Sequence, residues 1–229
     1  MTDVSANMII ERRSLHLELV ERLRPLIIEG QMAPDKKVPE KALCEQFSVS
    51  RTPLREALKV LAAEGLVRLE PNRGAWVTAI TIEEVEEVFP VLAVLEGLSG
   101  ELACEKITDE EIARIRSLHD AMIQSYRDRD LAAYFKFNQE IHLGILSAAR
   151  NETLANSSMA LSARMLRARY AANMSDERWG EAVDEHNEII RALEARDGKK
   201  LASILIVHMK NKQSSVMRWL QNAPDNEAD

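Results

Sequence analysis

One stretch constrains the fold more than any other. It covers residues 48–65 and reads S-V-S-R-T-P-L-R-E-A-L-K-V-L-A-A-E-G. Its apolar residues recur at intervals of three and four, the spacing that places side chains on one face of a helix. Cationic residues recur every four positions on another face: Arg51, Arg55 and Lys59. Ser50 suits the N-cap and Gly65 suits the position after the last turn, so we expect a helix that begins at Arg51.

The neighbours of this helix predict a helix-turn-helix with a wing. Upstream, Glu40–Phe47 has the pattern of a short helix, and residues 48–50 have the length of a tight turn. Downstream, residues 67–70 and 75–78 have the pattern of two short strands around the turn sequence P-N-R-G. An earlier periodic run over residues 14–29 adds a third helix. Together these elements predict a winged helix-turn-helix.

Arginines and hydroxyls at the N-terminus of the second helix of this motif suit entry into a DNA major groove. Arginine bonds bidentately to guanine, while hydroxyls and free backbone N–H groups bind phosphate. For an isolated arginine pair the ordinary solvated helix face is the commoner explanation, but the surrounding motif favours DNA. We expect Arg51 and Arg55 to read bases, and Lys41 and Arg73 to contact phosphate. The full set of expected DNA contacts is Lys41, Ser50, Arg51, Thr52, Arg55, Arg73 and Gly74.

These segments resemble the DNA-binding domain of GntR-type transcriptional regulators. The similarity extends over residues 15–78, and its strongest parts are I-I-E-G-Q-M-A-P at 27–34, V-S-R-T-P-L-R-E-A-L at 49–58, E-G-L-V at 64–67 and N-R-G-A-W-V at 72–77. The resemblance implies a regulator, in most cases a repressor, that binds double-stranded DNA.

The net charge of −7 is divided unevenly along the chain. Residues 1–78 hold 12 Lys and Arg against 11 Asp and Glu, a net charge of +1, and residues 79–229 hold 18 against 26, a net charge of −8. DNA binding must therefore depend on a local basic patch, whose affinity falls steeply with salt. Because one unit with so modest a patch is too weak for a specific regulator, we expect a homodimer on a palindromic operator.

The rest of the chain predicts an all-helical bundle, which makes the fold class mainly α. Aromatic residues account for only 4% of the sequence against 46% hydrophobic residues, so we expect an aliphatic core. Capping-box sequences at residues 81–84 and 108–111 open two of six expected helices. The six helices cover approximately residues 81–105, 109–129, 131–149, 152–174, 176–196 and 199–221.

Four segments follow from this pattern: a flexible arm at 1–13, the winged unit at 14–78, an all-helical unit at 79–223 that we expect to dimerise, and a disordered acidic tail at 224–229. Cys44 and Cys104 lack metal spacing and indicate a reducing compartment. No apolar run approaches the roughly 20 residues that a membrane helix needs, so we expect a cytoplasmic protein without a membrane partner.

Three of the five histidines lie on apolar helix faces, each in a different helix: His142, His186 and His208. A single histidine in that setting is more often a hydrogen-bonded core residue than a ligand. Three that converge would leave ring nitrogens unsatisfied unless a cation or water bound them. Asn138 precedes His142 by one turn, in the i, i+4 arrangement that helical metal sites use.

This half resembles the FCD-type helical domain of the FadR branch of the GntR superfamily. The matches include L-E-G-L-S-G-E-L-A at 95–103, N-Q-E-I-H at 138–142, A-R-N-E-T-L at 149–154 and D-E-H-N-E-I-I-R-A-L-E-A-R-D at 184–197. The resemblance implies that Asn138 and the three histidines bind a divalent metal such as zinc or nickel. Asn138 stands where aspartate is more usual, and a neutral amide is a weaker ligand than a carboxylate.

The resemblance also implies a small-molecule effector, an organic acid whose carboxylate completes the coordination of the metal. Many relatives carry an arginine at the position of Leu92, and Arg164 is a candidate substitute for it, with surface exposure as the alternative. Two other functions stay open: a metal-dependent enzyme tethered to DNA, and a bundle that only sets dimer geometry. We disfavour the enzyme because Glu140 and Glu185 are expected to point away from the histidines, which leaves no general base.

Overall fold

The computed structural model describes residues 15–172 and 176–222. The arm expected at 1–13 and the acidic tail expected at 224–229 lie outside these ranges. The chain divides into two compact units after Thr78. Each unit has a hydrophobic core of its own.

The first unit is the predicted winged helix-turn-helix. Its elements are α1 (Leu15–Ile28), α2 (Glu40–Phe47), α3 (Arg51–Ala63), β1 (Val67–Glu70) and β2 (Gly74–Val77). The strands are antiparallel, with Val67 opposite Val77 and Glu70 opposite Gly74. The second strand begins and ends one residue earlier than predicted. Fully buried leucines of α1 and α3 form the centre of the core: Leu23, Leu54 and Leu61.

The turn between α2 and α3 is set by local backbone chemistry. Ser48 takes the left-handed conformation at φ 53°, and the Val49 N–H donates to the Cys44 carbonyl. Ser50 occupies the N-cap position of α3, but its hydroxyl makes no capping hydrogen bond. Gly65 has a φ of 77°, which only glycine adopts without strain, and it follows the end of the helix as predicted.

The second unit contains the six predicted helices. They are α4 (Ile82–Lys106), α5 (Asp109–Arg127), α6 (Leu131–Ala148), α7 (Glu152–Ala172), α8 (Asp176–Glu194) and α9 (Gly198–Asn222), each end within two residues of its prediction. Both predicted capping boxes are present, at Thr81 with Glu84 and at Thr108 with Glu111. None of the helices in the described ranges is long and apolar enough to span a bilayer.

The close packing of α4 along α9 positions the interior of this unit. Glycines in α4 let the two helices approach, because a Cβ at Gly97 would lie 2.8 Å from Ile206 Cγ1. Along α9, Leu201 and Leu205 belong to one apolar cluster, and Met209 and Val216 belong to another. The buried polar residues of this helix, His208, Lys212 and Ser215, lie between Leu205 and Val216.

Gly100→Ala should lower the free energy of unfolding of the helical unit by on the order of 1 kcal/mol. A Cβ at position 100 would lie 2.6 Å from Leu205 Cδ1 and 2.9 Å from Leu201 Cγ, both on fully buried residues. The cost of overpacking, about 1–3 kcal/mol, exceeds the gain in helix propensity of about 1 kcal/mol. Denaturant unfolding followed by circular dichroism measures the change.

Gly180→Ala is the matched control, because its Cβ would meet the Tyr126 hydroxyl at an ordinary 3.4 Å. Position 180 also lies within a helix, so alanine there should stabilise the unit. Equal stabilisation by both substitutions would contradict the close approach of α4 and α9.

Candidate nucleic-acid interface and buried histidine cluster

Most of the residues predicted to contact DNA line one cleft of the first unit. The cleft is formed by the start of α2, the exposed face of α3 and the wing, and it includes Lys41, Arg51, Arg55, Arg73 and Gly74. The other two, Ser50 and Thr52, are exposed at the start of α3. The arrangement brings cations, hydroxyls and the N-terminus of a helix to one surface, as DNA binding requires.

Glu40, which the sequence analysis missed, connects three parts of this cleft. Its carboxylate accepts a hydrogen bond from Arg55 Nε at 3.2 Å, and only 17% of its side chain is exposed. A Cβ at Gly74 would lie 2.9 Å from Glu40 Oε1, so the wing turn and this carboxylate approach closely. Gly74 also has a φ of 94°, which favours glycine. Glu40 therefore lies between the Arg55 guanidinium and the wing turn.

The structure brings the three predicted histidines together in the second unit. His142 on α6, His186 on α8 and His208 on α9 have ring centroids 4.9–5.2 Å apart. One ligand nitrogen of each ring lies within 4.8 Å of the others, and all three residues are buried. Asn138 is also buried, one turn before His142 on α6. Its amide nitrogen has no hydrogen-bond partner among the described residues.

Two carboxylates orient two of the three rings. Glu96 on α4 lies 3.0 Å from His142 Nδ1, and Glu185 on α8 contacts His208 Nδ1. A ring that donates through Nδ1 presents the lone pair of Nε2. Within residues 15–172 and 176–222, His208 Nε2 and both ring nitrogens of His186 have no hydrogen-bond partner. A carboxylate behind the ring and a free lone pair in front of it, as in His208, are the arrangement of a metal-ligating histidine.

The expected orientation of Glu185 was wrong. Glu185 precedes His186, so its side chain is rotated by about 100° around α8. That rotation directs its carboxylate to His208 and to Arg178, which donates to it from both terminal nitrogens at 2.8 and 2.9 Å. Asn211 Nδ2 also donates to it at 2.8 Å. Because these hydrogen bonds favour the ionised carboxylate, Glu185 is a poor general base. It serves instead to orient the ring of His208.

Two buried cations, neither singled out from the sequence, lie beside the cluster. Lys212 is 3% exposed, and its Nζ lies 3.3 Å from His142 Nε2. Arg169 is 2% exposed, and its Nε and Nη2 have no hydrogen-bond partner in the described part of the chain. The i, i+4 spacing of His208 and Lys212 on α9 is a signal that sequence reasoning could have used. Arg169 carries no comparable signal.

Burial and neighbouring positive charge determine the ionisation of the cluster. Burial is the main reason that the pKa values of His142, His186 and His208 are lowered, which keeps the rings neutral near pH 7. Burial also lowers the pKa of Lys212. Burial raises the pKa of Glu96, but its interactions with His142, Arg169 and Lys212 outweigh burial and lower the pKa overall, so Glu96 stays ionised. Neutral imidazoles are the form that binds metal.

The residue considered for binding an effector carboxylate, Arg164, lies in a surface ion pair. Arg164 donates to Glu84 Oε1 at 2.5 Å and has 46% of its side chain exposed. This surface ion pair does not support an effector-binding role for Arg164. Leu92 is fully buried in the apolar cluster that α4 shares with α7 and α9.

Known proteins match both units. Residues 15–77 match the bacterial regulatory proteins of the gntR family, and residues 87–211 match the FCD domain. The gluconate operon transcriptional repressor of Bacillus licheniformis is 30% identical over 217 residues, which cover 90% of this chain and 87% of the relative. The Nta operon transcriptional regulator of Aminobacter aminovorans is 27% identical over 200 residues, covering 86% and 92%.

The fold is also that of a solved structure. E. coli McbR/YncC superposes with a TM-score of 0.80 at 22% identity, over 92% of this chain and all of that one. These matches cover both the winged helix-turn-helix and the helical unit. The chain therefore belongs to the GntR family of bacterial regulatory proteins, with an FCD domain as its second unit, and it is a DNA-binding transcriptional regulator rather than an enzyme.

Proposed function

We propose that this regulator is a homodimeric repressor whose affinity for a palindromic operator changes when a small organic acid binds at a divalent metal ion in the helical unit. The observation that carries the proposal is the set of three buried neutral imidazoles, two of them oriented by carboxylates. Repression is supported by a similar relative named as a repressor of the gluconate operon. A purely structural bundle would have no use for buried ring nitrogens that lack partners.

His142, His186 and His208 fit the role of metal ligands, and Asn138 is placed to add an amide oxygen from the same face of α6. Imidazole nitrogen suits zinc and nickel. When bound, the ion supplies an open coordination position for a carboxylate. Lys212 Nζ would have to leave His142 Nε2, because one lone pair serves either the ammonium or the metal. The two cations therefore compete for this nitrogen.

Substitutions in the cluster should change metal affinity in opposite directions. Asn138→Asp should tighten zinc or nickel binding by restoring an anionic ligand, and Glu96→Gln should weaken it about 10- to 100-fold by loosening His142. His186→Ala should weaken it further and abolish the effector response, with effector-free DNA binding retained. Metal content after dialysis against zinc or nickel, followed by calorimetric titration, measures these changes.

His119→Ala is the control for this series, since His119 is a buried histidine of α5 outside the three-ring cluster. Its metal content should equal that of the unsubstituted protein. A protein that takes up neither zinc nor nickel and still responds to its effector would rule out the metal site.

Arg55→Ala should reduce affinity for the specific operator by about 1–3 kcal/mol, through loss of a base contact. Glu40→Gln should produce a smaller loss, because it weakens the contact that orients the Arg55 guanidinium. Lys41→Ala and Arg73→Ala should weaken binding to all DNA sequences about equally. Titrations of operator and unrelated DNA at several salt concentrations separate the two kinds of contact, and unchanged operator affinity in Arg55→Ala would refute the docking.

A stripe on α4 is the proposed dimer surface. Val91, Val94 and Leu98 follow one another at three and four residues and are 48%, 63% and 40% exposed. Val207 on α9, the helix that packs along α4, is 51% exposed. Apolar side chains in such a stripe fit a second copy of the same surface around a two-fold axis.

Val94→Glu should convert the dimer to a monomer and weaken operator binding, because it would bring two like charges into the interface. Leu143→Glu is the control, since Leu143 is a half-exposed leucine of α6 outside the stripe. Sedimentation velocity at micromolar concentration measures both. A monomeric parent protein, or dissociation of the dimer by Leu143→Glu alone, would disprove this surface.

A further inference from the structure

Basic side chains and carboxylates surround the histidine cluster. Arg178 and Glu185 form a bidentate pair. Glu96 interacts with both Lys212 and Arg169. A divalent ion on the three histidines would add two positive charges to this interior, where unpaired charge is unfavourable.

Arg169 has the properties of an anion-binding residue. Its side chain is 2% exposed, and its Nε and Nη2 find no hydrogen-bond acceptor among the described residues. Burial lowers the pKa of Arg169, but arginine keeps its proton at any physiological pH. Nε and a terminal nitrogen of a guanidinium form the planar fork that binds a carboxylate or phosphate through two oxygens.

Lys212 contributes a second basic group beside the cluster. Its Nζ lies 3.3 Å from His142 Nε2, and Glu96 lies 3.0 Å from Nδ1 of the same ring. A metal on Nε2 would remove the acceptor that Lys212 now uses. The ammonium would then need an oxygen acceptor close to the metal and to Glu96, and a ligand is the group that can supply one.

A monocarboxylate bound to the metal would leave Nε and Nη2 of Arg169 without an acceptor among the described residues. Resting on the metal and effector sites proposed above, we propose that the effector carries at least two anionic groups, one for the metal position and one for Arg169 and Lys212. Its chemical class is a small dicarboxylate or a phosphorylated hydroxy acid, and Arg169 and Lys212 are the residues that select it. Both members of this class present two groups of oxygens on a short carbon framework.

The test compares acids of matched size on the full-length, zinc-loaded protein. Malonate and succinate should bind at least tenfold more tightly than acetate and butyrate in calorimetric titrations at constant ionic strength. 2-Phosphoglycolate in the same panel distinguishes the phosphorylated class from the dicarboxylates. Zinc content measured after each titration ensures that no acid has stripped the metal.

Arg169→Met and Lys212→Met should each reduce the affinity for the preferred dianion at least tenfold and bring it close to that of the monoanion. Methionine keeps much of the buried volume and removes the charge, so folding and effector-free DNA binding serve as internal controls. Zinc content should be unchanged in Arg169→Met and equal or higher in Lys212→Met, which frees His142 Nε2. Arg164→Met, a surface arginine paired with Glu84, should leave the preference intact.

Three results would overturn the inference: monoanions that bind zinc-loaded protein as tightly as dianions, a dianion preference that survives both methionine substitutions, or no binding by any acid of the panel. Failure of the metal site itself has a different signature, because zinc would then be absent from the parent protein before any acid is added.

Discussion

The hydrogen bonds that His142 donates to Glu96 and that His208 donates to Glu185 determine how the interior of the helical unit is organised. They connect α4 with α6 and α8 with α9, and each fixes the orientation of one imidazole ring in the cluster. Without these acceptors the buried rings would rotate, and their lone pairs would no longer converge. Because the carboxylates are themselves held by Arg178 and by nearby positive charge, the network is stable only as a whole.

A ligand in such an interior can act on DNA binding only if it favours one arrangement of the protein over another. Glu96 and the exposed stripe Val91, Val94 and Leu98 belong to the same helix, α4. A shift of Glu96 would therefore also move the proposed dimer surface, because both lie on α4, which packs closely against α9. Coupling of about 1–3 kcal/mol, typical of such transitions, corresponds to roughly 5- to 150-fold in operator affinity.

Local signals explain why so much of the fold could be predicted from the sequence. The capping boxes at Thr81 and Thr108, the periodic apolar faces and the glycine after α3 each act within a few residues of chain. The same periodicity placed each of the three histidines on an apolar face. Their convergence in one site was implied by the resemblance to the FCD-type domain and not by the pattern of any single helix.

The partners of the histidines could not be predicted in that way. Glu185 was assigned to the solvent face because it is adjacent to His186, yet α9 covers that side of α8 and provides His208 and Asn211 as partners. Glu96 and Arg169 reach the cluster from helices that are distant in sequence. Pairings between helices depend on the packing of the whole bundle, which the pattern of one helix does not contain.

The contact between Glu40 and Arg55 bears on the base contact that we propose for Arg55. A carboxylate beside an arginine weakens the general attraction of that arginine for phosphate. A hydrogen bond that orients the guanidinium lowers the entropy lost when its terminal nitrogens bond to a guanine edge. Under the proposed docking, both effects would raise the ratio of specific to non-specific affinity. They would add to the effect of the small net charge, +1 over residues 1–78, which itself limits non-specific attraction to DNA.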